Sequence, residues 1–220
     1  MITKNTATKP QKETFFLYLM LNKNLKTTIN MPGREDNLKI NFKIASTDHE
    51  FEQILTLQRN NHLTAVQEMN QENQGFVFAQ HTLELLKEMA AEEPQVIAIN
   101  QGQVIGYNLA MPLAFRNKIP SLIPMFKEFD KVSYKGKALN EYRYIVGGQV
   151  CVSSDFRGLG LLNRLYTETK NLLKDRYELC VTEIVSRNLV SMKSHLKAGF
   201  ILASSYHDGS EHWNIVLQEY

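Results

Sequence analysis

Only two cysteines occur among the 220 residues, Cys151 and Cys180, and both lie in apolar, strand-like runs. They form no metal-type spacing, so the chain is neither a zinc module built on cysteines nor a disulfide-dense secreted scaffold, and they read as buried thiols in a reducing compartment. A surplus of charge is missing too: 25 basic residues stand against 23 acidic ones, a net charge of +2. So even a balance gives nucleic acid or a membrane surface no electrostatic attraction, and neither is expected as a partner. No apolar run approaches the length of a membrane span. The N-terminal stretch Phe15–Leu21 has seven residues, at the bottom of the signal-peptide range, and no small-residue cleavage site follows it. A cytoplasmic protein is expected. Repeats and low-complexity tracts are absent as well.

What remains is an ordinary globular composition, 43% hydrophobic and 22% charged, in a chain long enough to bury a core without staples. Residues 1–37 are polar apart from Phe15–Leu21, and Pro32-Gly33 marks a break. An N-terminal extension over 1–37 and one domain over 38–220 follow from this. Lys39–Ile44 alternates, with Ile40, Phe42 and Ile44 on one side. Ser46-Thr47-Asp48 offers caps for a helix to about Asn60, and a second helix over Thr82–Ala91 stops before Pro94. Gln95–Asn100 and Val104–Met111 flank Gln101-Gly102 as a hairpin. Leu113–Leu139, interrupted by Pro120 and Pro124, is too long for a plain loop: it is functional or carries its own short helix. Tyr142–Val152 reads as a strand, Gly160–Lys174 as an amphipathic helix and Leu179–Val185 as a strand. Asn188 caps a helix ending at Gly199, and Ile201–Ser205 with His212–Leu217 closes a second hairpin. The order β-α-α-β-β-β-α-β-α-β-β is a single α/β domain with a mixed sheet.

The informative segment is Gln149–Leu162, where a strand runs through Ser153-Ser154-Asp155-Phe156-Arg157-Gly158-Leu159-Gly160 into a helix start. Free backbone N–H groups and the positive end of the helix dipole make such a junction an anion site. Gly158 and Gly160 permit close approach of a diphosphate, and Arg157 adds a formal charge. It is no Walker loop, lacking Gly-Lys-Ser/Thr, and no dinucleotide fingerprint, lacking the third glycine. On these residues alone, a tight strand-to-helix turn is the other reading.

Val152, Arg157 and Gly160 match the acyl-CoA loop pattern Arg/Gln-x-x-Gly-x-Gly/Ala, with a strand valine five residues before the arginine. Glu183-Ile-Val-Ser-Arg-Asn188, Ser191 and Gly199-Phe200 match a second signature, in which a strand glutamate precedes a helix-capping asparagine and the helix ends in Gly-Phe. Over roughly residues 38–220 the chain therefore resembles the GNAT superfamily of acyl-CoA-dependent N-acetyltransferases. The resemblance implies the GNAT fold, a mixed, mostly antiparallel twisted sheet flanked by helices. It also implies acetyl-CoA as acyl donor, a small-molecule or amino-acid amine as acceptor, and a homodimer by analogy. Two departures stand out. Leu162 occupies a position where the family prefers Gly or Ala, and His195 stands where a tyrosine commonly protonates the leaving thiolate.

Carried over residue by residue, Val150, Cys151 and Val152 supply the strand edge for the pantetheine arm. Arg157, Gly158, Leu159, Gly160, Leu161 and Leu162 cradle the phosphates, and Asn188 bonds a pantetheine amide while capping its helix. Glu183 is the first candidate for the base and Glu141 the second. His195 is the candidate acid, because an imidazolium donates a proton near neutral pH. Gly147-Gly148 before the edge is either a β-bulge opening the slot or a simple bend. Gln149 orients the acceptor or is a solvated strand-face residue, and Cys151, without a basic neighbour in sequence, is an inert thiol. The acceptor region falls on Thr47–Ala91, with His62, Phe76, Phe78 and His81, and on Leu113–Leu139, with Phe115, Arg116, Phe126, Phe129 and Tyr134. These aromatics line a pocket or pack over the sheet. A protein N-acetyltransferase and an acyl-CoA-binding module without chemistry are the alternatives.

Overall fold

The computed structural model describes residues 27–31, 38–69 and 74–220. Phe15–Leu21 lies outside them. Eight strands form one sheet in the order β1-β2-β3-β4-β7-β8-β10-β9, comprising β1 (Thr27–Met31), β2 (Leu38–Ile44), β3 (Val96–Asn100), β4 (Gln103–Met111), β7 (Tyr144–Val152), β8 (Leu179–Val185), β9 (Ile201–His207) and β10 (His212–Glu219). Every neighbouring pair is antiparallel except β7 and β8. The helices are α1 (Asp48–Asn61), α2 (Leu63–Glu68), α3 (Leu83–Glu92), α4 (Ile123–Phe129), α5 (Leu161–Leu173) and α6 (Leu189–Lys197). A small separate hairpin joins β5 (Ser133–Tyr134) and β6 (Lys137–Ala138).

Period-two alternation assigns the strand faces. Ile40, Phe42, Val96, Ala98, Ile145 and Val216 pack with Leu161, Leu165, Tyr166 and Leu172 of α5. Ile97, Tyr107, Leu109, Val146 and Leu217 face α1, α3 and α4 through Ile54, Leu86, Met89 and Phe126. Sheet order and alternation thus give a three-layer sandwich with one core on each side. Helix starts follow the expected chemistry. Thr47 and Glu50 form a reciprocal capping box on α1, Thr82 caps α3, and Asn188 caps α6 through Ser191 N–H.

Three features depart from expectation or complete it. β1 pairs with β2 from within the stretch assigned to the extension, so the sheet begins at Thr27. α2 has no counterpart in the sequence reading, because six residues are too short to show a periodicity. The 113–139 insertion carries its own helix, α4, and its aromatics are core. Phe115, Phe126 and Phe129 are 2% exposed or less, Arg116 pairs with Asp130, and Tyr134 bonds Glu219. None of these five residues lines a cavity described below, so of the two alternatives, lining a pocket or packing over the sheet, the structure gives them the second.

Candidate active site

The site is built by two strands that start together and part. β7 and β8 pair only over Tyr144–Val146 and Leu179–Val181, although β7 continues to Val152 and β8 to Val185. Beyond the paired end a wedge opens. On the other side of β7 the register against β4 steps from Leu109↔Gln149 to Ala110↔Gly147, leaving Gly148 as the extra residue of a β-bulge. A Cβ on Gly147 would lie 3.3 Å from both Cys180 Sγ and Tyr166 Oη, so the close approach of the strands there leaves little room for a side chain. The bulge, one of two alternatives from sequence, is thus present at the point where the strands diverge.

Pleat geometry fixes which main-chain groups face the wedge. Ser153 N–H donates to Ile105 O of the β4 side, at 2.8 Å. Alternation then turns the N–H groups of Cys151 and Gln149 toward β4 and those of Val152 and Val150 toward the wedge. The Val152 carbonyl, correspondingly, accepts from Arg157 Nε on that outer side at 3.1 Å.

At the open end β7 runs through a short 3-10 turn, Ser154–Phe156, into α5. Gly158 and Gly160 have φ of 79° and 75°, the left-handed region, and a Cβ on either would meet nothing within 4 Å. They are glycines for backbone conformation and leave open space above the turn. The N-terminus of α5 has no side-chain cap, unlike those of α1, α3 and α6. Its first intrahelical bond after the cap is Arg164 N–H to Gly160 O, so the N–H groups of Leu161, Leu162 and Asn163 precede the first closed turn. Leu162 is half-buried. A cavity of about 280 Å³ lies over this turn, bounded by Val150–Val152, Arg157–Gly158, Gly160–Asn163, residues 74–77 and α6, with Lys197 at its edge. Arg157 is more a strut than a free charge. Its guanidinium donates to Val152 O, to Gln74 O at 2.7 Å and to Asn61 Oδ1, joining β7, α1 and residues 74–77.

A second cavity of about 470 Å³ occupies the wedge and its mouth, sharing Phe76, Val77, Val150, Asn188-side Ser191 and the β7 edge with the first. Residues 74–79 cross between them like a strap. Phe76 O accepts from Asn188 Nδ2, Val77 N–H donates to Asn61 O, and Ala79 O accepts from Gln149 Nε2, each at 2.9 Å. Asn188 therefore spends its oxygen on the α6 cap and an amide N–H on the strap. Gln149 is buried rather than solvated. Its Oε1 accepts from Tyr107 Oη and Gln58 Nε2, and Gln58 also bonds buried His81.

Glu183 projects into this second cavity. Burial pushes its carboxyl up to about 7, opposed by a hydrogen bond from Tyr206 Oη to Oε2. A carboxylate poised near neutrality at the wedge suits general-base work. Glu141, the second base candidate, is elsewhere: its Oε2 accepts from Ala138 N–H just before the closed end of β7, away from the wedge. Cys151 is inert as expected, its thiol pushed up to about 12 by burial.

His195 corrects the expected acid. It is 3% exposed, and burial pulls it down to about 4, against the Ser191 hydrogen bond that acts the other way. Its Nδ1 lies 2.8 Å from Ser191 O, an acceptor only, so that nitrogen carries the proton. Nε2 then accepts from Tyr166 Oη at 2.9 Å. The imidazole is neutral, and no imidazolium stands ready to donate. Tyr166 is the functional candidate that sequence reasoning missed. It reads as one more apolar position of an amphipathic helix, yet its hydroxyl sits where the two strands part and lines the wedge cavity. Lys197 was missed likewise, as a plain surface lysine.

No family model matches the sequence, and no curated protein resembles it at a significant level. Solved structures do. The NatC complex bound to Gag peptide and CoA aligns with a TM-score of 0.56 and 13% identity, over 82% of this chain and 98% of that one. A GNAT-family acetyltransferase of Streptococcus pneumoniae aligns at 0.55 and 11% identity, over 82% and 98%. A Salmonella typhimurium protein solved with its cofactor acetyl-CoA aligns at 0.54 and 14% identity, over 82% and 93%. The chain thus shares its overall fold with solved acetyltransferases, and has the GNAT fold.

Proposed function

We propose that the protein is an N-acetyltransferase that moves an acetyl group from acetyl-CoA to the primary amine of a small molecule or amino acid. The observation that carries this reading is the wedge itself: an uncapped helix N-terminus at one end, a strand edge between, and a carboxyl near neutrality at the other. The residues present fit the donor. The diphosphate would sit on the N–H groups of residues 158–163, beside Arg157 and Lys197, in the open space above Gly158 and Gly160. The pantetheine arm would lie along Val150–Val152 as an added strand, and the Val150 N–H is positioned to polarise the thioester carbonyl. Glu183 takes the proton from the ammonium so that the neutral amine attacks. As the C–S bond breaks, the departing thiolate takes its proton from the Tyr166 hydroxyl, which rotates away from His195 Nε2, and the second proton shed by the amide nitrogen passes to the tyrosinate and restores it.

The walls of the acceptor cavity favour a small molecule over a protein chain. Phe76–Ala79, Ser121–Met125, β8 and the β9–β10 hairpin surround it on successive sides. The test is a thiol-release assay with acetyl-CoA over an amine panel, followed across pH. Turnover with a rising limb near pH 7, which Glu183→Gln abolishes with a loss of roughly 10²-fold, is the expected result. Acetyl-CoA binding without turnover of any amine would leave a non-catalytic acyl-CoA module as the better reading.

A further inference from the structure

The two ends of the wedge are oppositely charged. The donor end carries Arg157 and Lys197. Among the described residues that line the acceptor end there is no Lys or Arg, and the ionisable carboxyls there are Glu183 and Asp208. Asp208 is fixed in its charged form by N–H groups: Glu211 and Ser210 donate to Oδ1, and the Trp213 indole donates to Oδ2 at 2.8 Å. That last bond also fixes the indole, which packs against Phe78 at 5.1 Å between ring centroids. Phe78 remains 36% exposed, an aromatic face presented to the cavity rather than spent on the core. Met125, Leu122 and Pro124 form the apolar wall contributed by the insertion. Arg187, outside the cavity lining, stacks on Phe76 and Phe78 and pairs with Glu211.

We infer that the acceptor is a primary amine on an aromatic or aliphatic body that carries no carboxylate, which excludes free α-amino acids. This rests on the transferase reading and narrows it. An ammonium is attracted by both carboxylates and by the aromatic faces. A hydrocarbon body finds the Phe78–Trp213 pair and the methionine-lined wall. An α-carboxylate, held two bonds from the amine, would have to enter beside Glu183 and Asp208 with no cation to meet it, a repulsion and a desolvation together.

Three probes share a phenyl ring and a primary amine and differ only in the substituent on the amine-bearing carbon (hydrogen, carboxamide or carboxylate): 2-phenylethylamine, phenylalaninamide and phenylalanine. Their binding to the full chain saturated with CoA is measured by calorimetry, which needs no turnover. The amine and the amide should bind at least roughly tenfold tighter than the amino acid. Phenylalanine binding equally well or better, or none of the three binding, overturns the inference. A phenylalanine-leading tetrapeptide that binds tighter than 2-phenylethylamine would overturn it in favour of a protein N-terminus. Ser121→Arg, at an exposed position on the cavity rim, should raise phenylalanine affinity several-fold; no change there counts against the charge argument. Failure of the transferase reading looks different: the binding order holds, but acetyl-CoA releases no thiol with any probe.

Discussion

At the scale of single residues, chemistry depends on environment more than on identity. His195 has the right side chain for an acid and the wrong surroundings, since burial holds it neutral against the pull of the Ser191 carbonyl, which takes the Nδ1 proton and leaves Nε2 as acceptor. Its contribution would be to position Tyr166. Tyr166→Phe is expected to lower kcat by roughly 10²-fold with acetyl-CoA affinity nearly unchanged, the size of a lost general acid. His195→Gln, which can still accept from the hydroxyl, should retain more activity than His195→Ala. Steady-state kinetics with calorimetric binding of acetyl-CoA checks both. An unaltered kcat in Tyr166→Phe would move the proton source to another group, such as the Ser191 hydroxyl in the same cavity.

At the scale of elements, the strand–turn–helix junction from β7 to α5 separates two kinds of positive charge. Arg157 ties Val152, Asn61 and Gln74 together, so replacing it acts on structure and on binding at once. Lys197, exposed on the last turn of α6, borders the same cavity without such ties. Lys197→Ala is expected to weaken CoA binding by about 1 kcal/mol, roughly fivefold, with an unchanged melting temperature. Arg157→Ala should lower both CoA affinity and melting temperature. Paired thermal unfolding and CoA titration of the two variants tests this, and equal melting temperatures would remove Arg157 from its structural role. The glycines of this junction were legible in sequence, because a left-handed φ needs them. The strap over 74–79 was not: its place is set by Asn188, Asn61, Gln149 and Arg157, which lie 16 to 112 positions from their partners along the chain and pair with three backbone carbonyls and one backbone N–H of the strap, groups that reveal nothing in the sequence.

At the scale of the whole molecule, buried titratable groups couple the site to stability. His81 and His195 both sit near 4, below the ordinary 6.5, so the unfolded chain binds protons that the folded chain refuses as pH falls below 6.5. Glu183 acts in the opposite sense. Its value near 7 means the folded state gains stability as pH falls from 7 toward 4.5. Two histidines against Glu183 leave a loss of about 1–2 kcal/mol between pH 7 and pH 5, which Glu93, also raised by burial, reduces further. Glu183→Gln, which removes the opposing group, should deepen that loss to about 4 kcal/mol. Urea midpoints at the two pH values check this, and a stability that rises on acidification would contradict it.

The sequence by itself determined the order of the main strands and helices over 38–220 apart from α2 and the β5–β6 hairpin, the caps of α1 and α6, and the glycine turn before α5, whereas Glu183 was set beside a strand junction by the family resemblance alone. The first three are local matters, fixed by periodicity, by backbone conformation or by a side chain reaching a neighbour three residues away. Only the tertiary structure decided that β7 and β8 part after three paired residues, that the Tyr166 hydroxyl lies on buried His195 at that point, and that the insertion buries Phe115, Phe126 and Phe129 while Ser121, Leu122, Pro124 and Met125 border the cavity. Those outcomes depend on burial and on contacts between distant segments. Burial sets protonation, and distant contacts set which polar groups remain free to act.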